Sequence, residues 1–301
     1  MMTTPRRVSF GIKTSQMGLT YEEILTVWRE ADQIPYFEHA WLWDHLVPLR
    51  GDVRGAALEA WTLLSALAAQ TSRLRLGVMV TSNRLRLPTL LAKMAATVDI
   101  IAGGRLDFGI GVGASRVEME NPGVREFEAY GVPLVSPGEA VRDLAESLSI
   151  IRRMWAEVEP FDFDGKSIQL KGAVCEPKPL QKPHPPILIG GAGDRVLRIV
   201  AEHADIWNYP GPPSPEFLQR NELLNEHCAA IGRDPNEIVR SMQTIIRGDD
   251  PGTLASTRSL IAEMISSGIT HIVLASAVTG RPARWIADEV IEPVLAEMPG
   301  S

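Results

Sequence analysis

The chain has 301 residues, 45% hydrophobic and 22% charged, with a net charge of −7 and a pI near 5.5. This composition excludes disorder and collagen-like structure, and the length suits either two ordinary domains or one α/β barrel of ~250 residues. The acidic balance repels polyanions and speaks against a nucleic-acid role, although a helix N-terminus can still hold a small anion.

Short β-branched runs alternate with stretches of helical period along the chain. The first predicted strand, 8–13 (VSFGIK), leads to TYEEILTVWREAD, where Thr20 and Glu23 have the spacing of a capping box. Strand 39–44 (HAWLWD) precedes LEAWTLLSALAAQ. Strand 74–80 (LRLGVMV) precedes PTLLAKMAATVDIIA, with Pro88 at the first helical position. Strand 105–112 (RLDFGIGV) is followed, after an interruption, by SPGEAVRDLAESLSIIRRMW. Strands 186–190 and 204–208 are separated by VLRIVAEHA, and the second leads into a helix opening at Pro215. Strand 238–246 leads to TLASTRSLIAEMISSG, which stops at Gly268, and strand 270–276 to RWIADEVIEPVLAEM.

Eight βα units predict a parallel sheet closed into a (β/α)8 TIM barrel, read as one domain over residues 1–301. An open doubly wound sheet would require G-x-G-x-x-G after the first strand, and Phe10-Gly11-Ile12-Lys13-Thr14 is not that turn. The longest gap, between strands four and five, predicts insertions at about 114–137 and 160–185. Such insertions fall on βα loops, over the face where barrel enzymes place their chemistry.

Polar residues at strand ends are therefore the candidate site. Asp44 and His45 follow the second strand, pairing a side chain that exchanges protons near neutral pH with a carboxylate that would orient it or bind a cofactor edge; a capped turn with a surface histidine would read the same. The third strand turns abruptly polar through Met79, Val80, Thr81, Ser82 and Asn83, either as a buried strand leaving the core or as a bulge touching a flat ring. Gly109, Gly111 and Gly113 alternate on the fourth strand, to relieve crowding inside the barrel or to admit a ligand. The turn Gly190-Gly191-Ala192-Gly193-Asp194-Arg195 reads as a phosphate cradle or as a tight turn with glycine at positive φ. Lys13 ends the first strand as an anion contact, a Schiff-base lysine or a solvated side chain. No H-E-x-x-H or G-x-S-x-G occurs, and no metal site is expected. Cys175 and Cys228 lack C-x-x-C spacing, and no apolar leader or span is present, so a reducing cytoplasm is the expected setting, without membrane association.

WLWDHL, LEAWTLLSALAAQTSRLRLGVMVTSN, LAKMAATVDIIAGGRLDFGIGVG, EPKPLQKPHPPILIGGAGDRVLRIVAEHADIWN and HCAAIGRDPNEI, taken in order and spacing, resemble the luciferase-like monooxygenase superfamily, in particular its branch that uses the deazaflavin coenzyme F420. The resemblance implies that His45, beside Asp44, takes part in proton transfer next to the reactive ring. It implies a non-prolyl cis peptide at Met79-Val80 behind the ring, with Ser82 and Asn83 at the ring edge or ribityl chain. Val112 and Gly113 would be a further cofactor contact, and Gly190 to Arg195 the phosphate site.

One sugar-phosphate-oxidising branch carries glutamate directly after the fourth-strand glycine. Here Ala114 stands there, which argues against that substrate. The expected activity is hydride transfer between F420 and a small organic molecule: an activated alkene, imine, nitroarene or alcohol. FMN with oxygen, as a monooxygenase, is the alternative, and a flavin-binding protein without turnover is a third reading. Trp41, Trp43 and Trp207 are expected either in an apolar substrate pocket or in the core. Expected partners are a small-molecule substrate, a second copy in a homodimer and, for some members, a separate flavin or F420 reductase.

Overall fold

A computed structural model describes residues 7–49, 51–114, 122–276 and 281–297. Its elements are, in order, β1 (Ser9–Lys13), α1 (Tyr21–Gln33), β2 (Phe37–Leu42), α2 (Ala60–Ala68), β3 (Arg75–Val78), β4 (Thr81–Ser82), α3 (Pro88–Ile101), β5 (Leu106–Gly111), α4 (Pro122–Ala129) and α5 (Pro137–Ala156). There follow β6 (Phe161–Asp164), β7 (Gln169–Ala173), β8 (Ile187–Gly190), α6 (Asp194–His203), β9 (Ile206–Tyr209), α7 (Pro215–Ala230), β10 (Val239–Ile246), α8 (Pro251–Ser266), β11 (His271–Ser276), α9 (Ala283–Ile286) and α10 (Glu292–Ala296).

The parallel strands pair in the order β3-β2-β1-β11-β10-β9-β8-β5, and β3 pairs again with β5 through Leu76↔Leu106 and Gly77↔Asp107. That last pairing closes the sheet into the expected (β/α)8 barrel, because β3 and β4 are two halves of one barrel strand. The third strand is thus not the continuous run 74–80: it stops at Val78, crosses a cis peptide at Met79-Val80, and resumes as β4 against β5.

Local signals act as the residue types require. Thr20 Oγ1 accepts from the Glu23 amide while the Glu23 carboxylate accepts from the Thr20 amide at 2.7 Å, which starts α1. Pro88, Pro215 and Pro251 occupy first turns, where a missing N–H costs nothing. The last predicted helix is interrupted by a π-turn over Ala287–Ile291, next to Pro293, which lacks the N–H that a continuous helix would use. Its final residues, from 298 on, lie outside the described residues.

Inside the barrel Trp41, Met79, Leu188, Ile206 and Val273 form one apolar plug, while the larger core lies between strands and helices. The plug explains two glycines. A Cβ at Gly77 would lie 2.6 Å from Cζ3 of Trp41, and one at Gly109 would lie 3.6 Å from the same atom and inside the radius of the Val78 carbonyl oxygen. Gly109 therefore serves interior packing. Trp207 also belongs to the core, stacked at 6.0 Å on Phe217. Ala60, Trp61, Leu63, Leu64, Leu67 and Ala68 of α2 are buried in the same large core.

Both predicted insertions have structure. The first contributes α4, with residues 115–121 outside the described residues, and the second forms the antiparallel hairpin β6-β7. Among the described residues no helix is long and apolar enough to cross a membrane, and no three side chains form a metal-ligand cluster.

Candidate active site

A cavity of about 360 Å³ opens at the C-terminal ends of the barrel strands. Of the residues singled out in the sequence, Asp44, His45, Met79, Val80, Ser82, Gly113, Gly190 and Gly191 line it. Asn83, Val112, Ala192, Gly193, Asp194 and Arg195 do not.

His45 stands just beyond β2 with its Nδ1 2.9 Å from Glu126 Oε1. The second carboxylate oxygen of Glu126 accepts the Leu46 amide at 2.8 Å, so both oxygens are fixed by the segment that carries the histidine. Glu126 belongs to α4 and its side chain is only 3% exposed, against 31% for His45. A carboxylate at Nδ1 selects the tautomer with the proton on that nitrogen, which leaves Nε2 to exchange a proton with a ligand. Replacing Glu126 by Gln would let the amide offer N–H to the ring and scramble the tautomer. Turnover is expected to fall about 10²-fold with ligand affinity unchanged, read from steady-state rates beside a binding titration.

Asp44 is buried and fully engaged. Arg86 reaches it with two hydrogen bonds of 2.8 Å, and the Ser82 amide donates to it at 2.8 Å. Burial raises its pKa, opposed chiefly by hydrogen bonding to Arg86. With both oxygens committed, Asp44 braces the start of β4 against the end of β2. Arg86, unsuspected in the sequence, also pairs with Glu59 at the N-terminus of α2.

The wall opposite solvent is made by Met79 and Val80, where the chain crosses its cis peptide. Beside it the buried Thr81 Oγ1, Ser82 Oγ and Asn83 Oδ1 have no protein partner. Orphaned polar atoms next to an apolar wall suit a flat ligand with a polar edge. On the facing side a Cβ at Gly190 would lie 3.1 Å from Val80, and Gly191 adopts φ +131° while its carbonyl accepts the Trp207 indole N–H at 2.7 Å. Gly193 caps α6 with open space around it. Its neighbour Asp194 turns to His227 at 2.9 Å and Arg198 at 3.1 Å, and Arg195 is exposed. The Gly191 amide is committed to the Asn208 carbonyl at 3.2 Å, whereas the first-turn amides of α6 lack intrahelical partners and can take an oxyanion.

Lys13, Trp43, Glu126, Phe127, Asn208 and Gln243 also line the cavity. Of the three tryptophans named above only Trp43 faces it. Lys13 is buried, and desolvation lowers its pKa to about 7. Because the unfolded chain keeps this proton up to about 10.5, the unfolded state binds more protons between those values, and folding gains stability as pH rises from 7 toward 10. A Lys13→Met variant lacks this penalty. Its melting temperature is expected to exceed the native one most at pH 6, with the difference shrinking toward pH 10 in parallel thermal scans.

The sequence profile of the luciferase-like monooxygenase family matches residues 1–276. Among curated proteins, the phthiodiolone/phenolphthiodiolone dimycocerosates ketoreductase of Mycobacterium sp. (strain JLS) is 32% identical over 218 residues, 70% of this chain and 52% of that protein. An uncharacterised protein of Mycobacterium tuberculosis is 34% identical over 178 residues, 59% of this chain and 58% of its own. The chain thus spans about half the length of the curated relatives it matches. Among solved structures, an F420-dependent secondary alcohol dehydrogenase in complex with an F420-acetone adduct superposes with a TM-score of 0.79 at 17% identity, covering 96% of this chain and 98% of that one. The monooxygenase RslO1 from Streptomyces bottropensis superposes with 0.74 at 21% identity, covering 95% and 99%. Likenesses at such identity concern the fold, whereas the family profile runs through the strands, the cis peptide and the glycine turn alike. The chain belongs to the luciferase-like monooxygenase family.

Proposed function

We propose that this protein is an F420-dependent oxidoreductase that moves hydride between the deazaflavin and a small organic substrate. The observation that carries the reading is the His45–Glu126 pair in the same cavity as the Met79-Val80 wall and the orphaned edge of β4. Two structures that share the fold are named as F420-dependent, the alcohol dehydrogenase and a tetrahydromethanopterin reductase from Methanopyrus kandleri. The ketoreductase relative supports a carbonyl–alcohol pair among the possible substrates.

Met79 and Val80 would back the ring, Ser82 and Asn83 would meet its polar edge or side chain, and Gly190 to Gly193 would take the phosphate. When bound, the deazaflavin supplies a two-electron hydride donor or acceptor. The rest of the chemistry belongs to the protein. His45 holds or delivers a proton at Nε2, Glu126 fixes its tautomer, and Asp44 with Arg86 keeps β4 at its distance. Trp43 and Phe127 supply apolar surface against which a substrate excludes water.

Fluorescence titration of the purified chain with F420 and, separately, with FMN tests the reading. Tighter binding of F420 by at least tenfold is the expected result. The reverse preference would make the chain an FMN-dependent enzyme of oxygen chemistry, and binding of neither would overturn the assignment of the cavity.

A further inference from the structure

Among the described residues, each charged side chain that lines the cavity has a counter-charge or a charged hydrogen-bond partner, except one. Asp44 faces Arg86, and Glu126 faces His45. Lys13, 7% exposed, forms no ion pair among the described residues. Its Nζ donates to Gln243 Oε1 at 2.9 Å and lies 4.4 Å from the centre of the Trp43 ring. Trp43 is itself held in place by Gln16, whose side-chain oxygen accepts its amide at 3.2 Å and whose NH2 donates to its carbonyl. Gln243 lines the same cavity, and with its oxygen engaged by Lys13 its amide presents NH2 as a second donor.

A buried ammonium is costly unless it is paired, and proteins pair such groups with a fixed counter-charge or reserve them for a ligand's. Here the described residues supply none, and an indole face and an amide oxygen stabilise the cation without neutralising it. We propose that Lys13 and Gln243 together bind a carboxylate oxygen of the substrate, so that the pocket selects organic acids over their neutral amides. The inference rests on reading this cavity as the substrate site. Trp43 and Phe127 would face the apolar body of such an acid, and a bound anion would restore the charge that burial disfavours on Lys13. Among the described residues, Asp44, His45 and Glu126 are the other titratable groups that line the cavity, and each is already paired.

The test is calorimetric titration of the full chain, alone and with saturating F420 or FMN, with three matched probes: benzoate and benzamide, cinnamate and cinnamamide, hexanoate and hexanamide. At pH 6 at least one acid is expected to bind tenfold or more tightly than its amide. That preference should vanish in Lys13→Met, shrink at least threefold in Gln243→Leu, survive in part in Lys13→Arg, and fall by pH 8.5 as the lysine loses its proton. No preference for an acid in any pair, or a preference that persists in Lys13→Met, would overturn the proposal. So would a Lys13→Met variant that keeps the acid preference and instead loses affinity for F420 or FMN, because the cation would then face the ring of the cofactor. Failure of the chain to bind either cofactor strikes the reading of function by itself, whereas the acid preference is read from the chain alone.

Discussion

Replacing His45 by alanine is expected to lower turnover by roughly 10²–10⁴-fold, the usual worth of a positioned proton donor or acceptor. The side chain is partly solvent-exposed and among the described residues its only hydrogen bond is to Glu126, so the fold and the cavity wall at Met79 and Val80 should stay as they are. The loss should therefore appear in kcat, with F420 or FMN affinity within about threefold of the native value. Added imidazole should restore part of the rate, because the vacated space opens onto the cavity. A His45→Ala enzyme with native turnover on every substrate the native enzyme accepts would remove the histidine from the mechanism and leave the barrel and cavity untouched.

The largest expected effect on stability comes from Gly77→Ala, inside the barrel and away from the cavity lining. The added methyl would sit 2.6 Å from the Trp41 indole and against the Asp107 carbonyl oxygen. Trp41 is fully buried and its indole N–H is held by His39 Nδ1 at 2.7 Å, so it cannot swing away. The Asp107 oxygen belongs to β5, across the pairing that closes the barrel. Overpacking of this kind costs about 3 kcal/mol or more, several degrees of melting temperature for a chain of this size. The contrast is Gly193→Ala, at φ −68° with no atom within 4 Å of the added methyl, where stability should move by less than ~0.5 kcal/mol. Parallel thermal melts would decide, and equal melting temperatures for the two variants would show that the interior of β3 has more slack than its geometry implies.

The barrel was legible because its signals are local. Strand runs such as THIVLAS and the capping box of Thr20 and Glu23 need no tertiary information, and regular spacing of the βα units then dictates closure. The break in the third strand was not legible in LRLGVMV, whose apolar run looks continuous; only the family resemblance put a cis peptide at Met79-Val80. The hairpin β6-β7 had a signal that an insertion reading passed over, with Phe161 and Phe163 alternating before a turn at Gly165 and Ile168 and Leu170 after it.

The site divides along the same line. His45, Met79, Val80 and Gly190 sit where strands end, a position that a strand prediction supplies directly. Glu126 is 81 residues from His45 and lies in a segment that reads as an atypical loop, so its role exists only in three dimensions. Arg86 was hidden for the same reason, 42 residues from the aspartate it holds. Lys13 was visible as a strand-end residue, but its want of a counter-charge among the described residues is a property of the packed cavity.

The pairing of His45 with Glu126 has an evolutionary consequence. One partner stands just beyond the second strand, on the barrel itself; the other stands on α4, in the insertion between the fourth and fifth barrel strands. A descendant that rewrote this insertion would keep its scaffold and its histidine yet forfeit the group that sets the histidine's proton, and proton chemistry could diverge in this lineage without a single change to the strands.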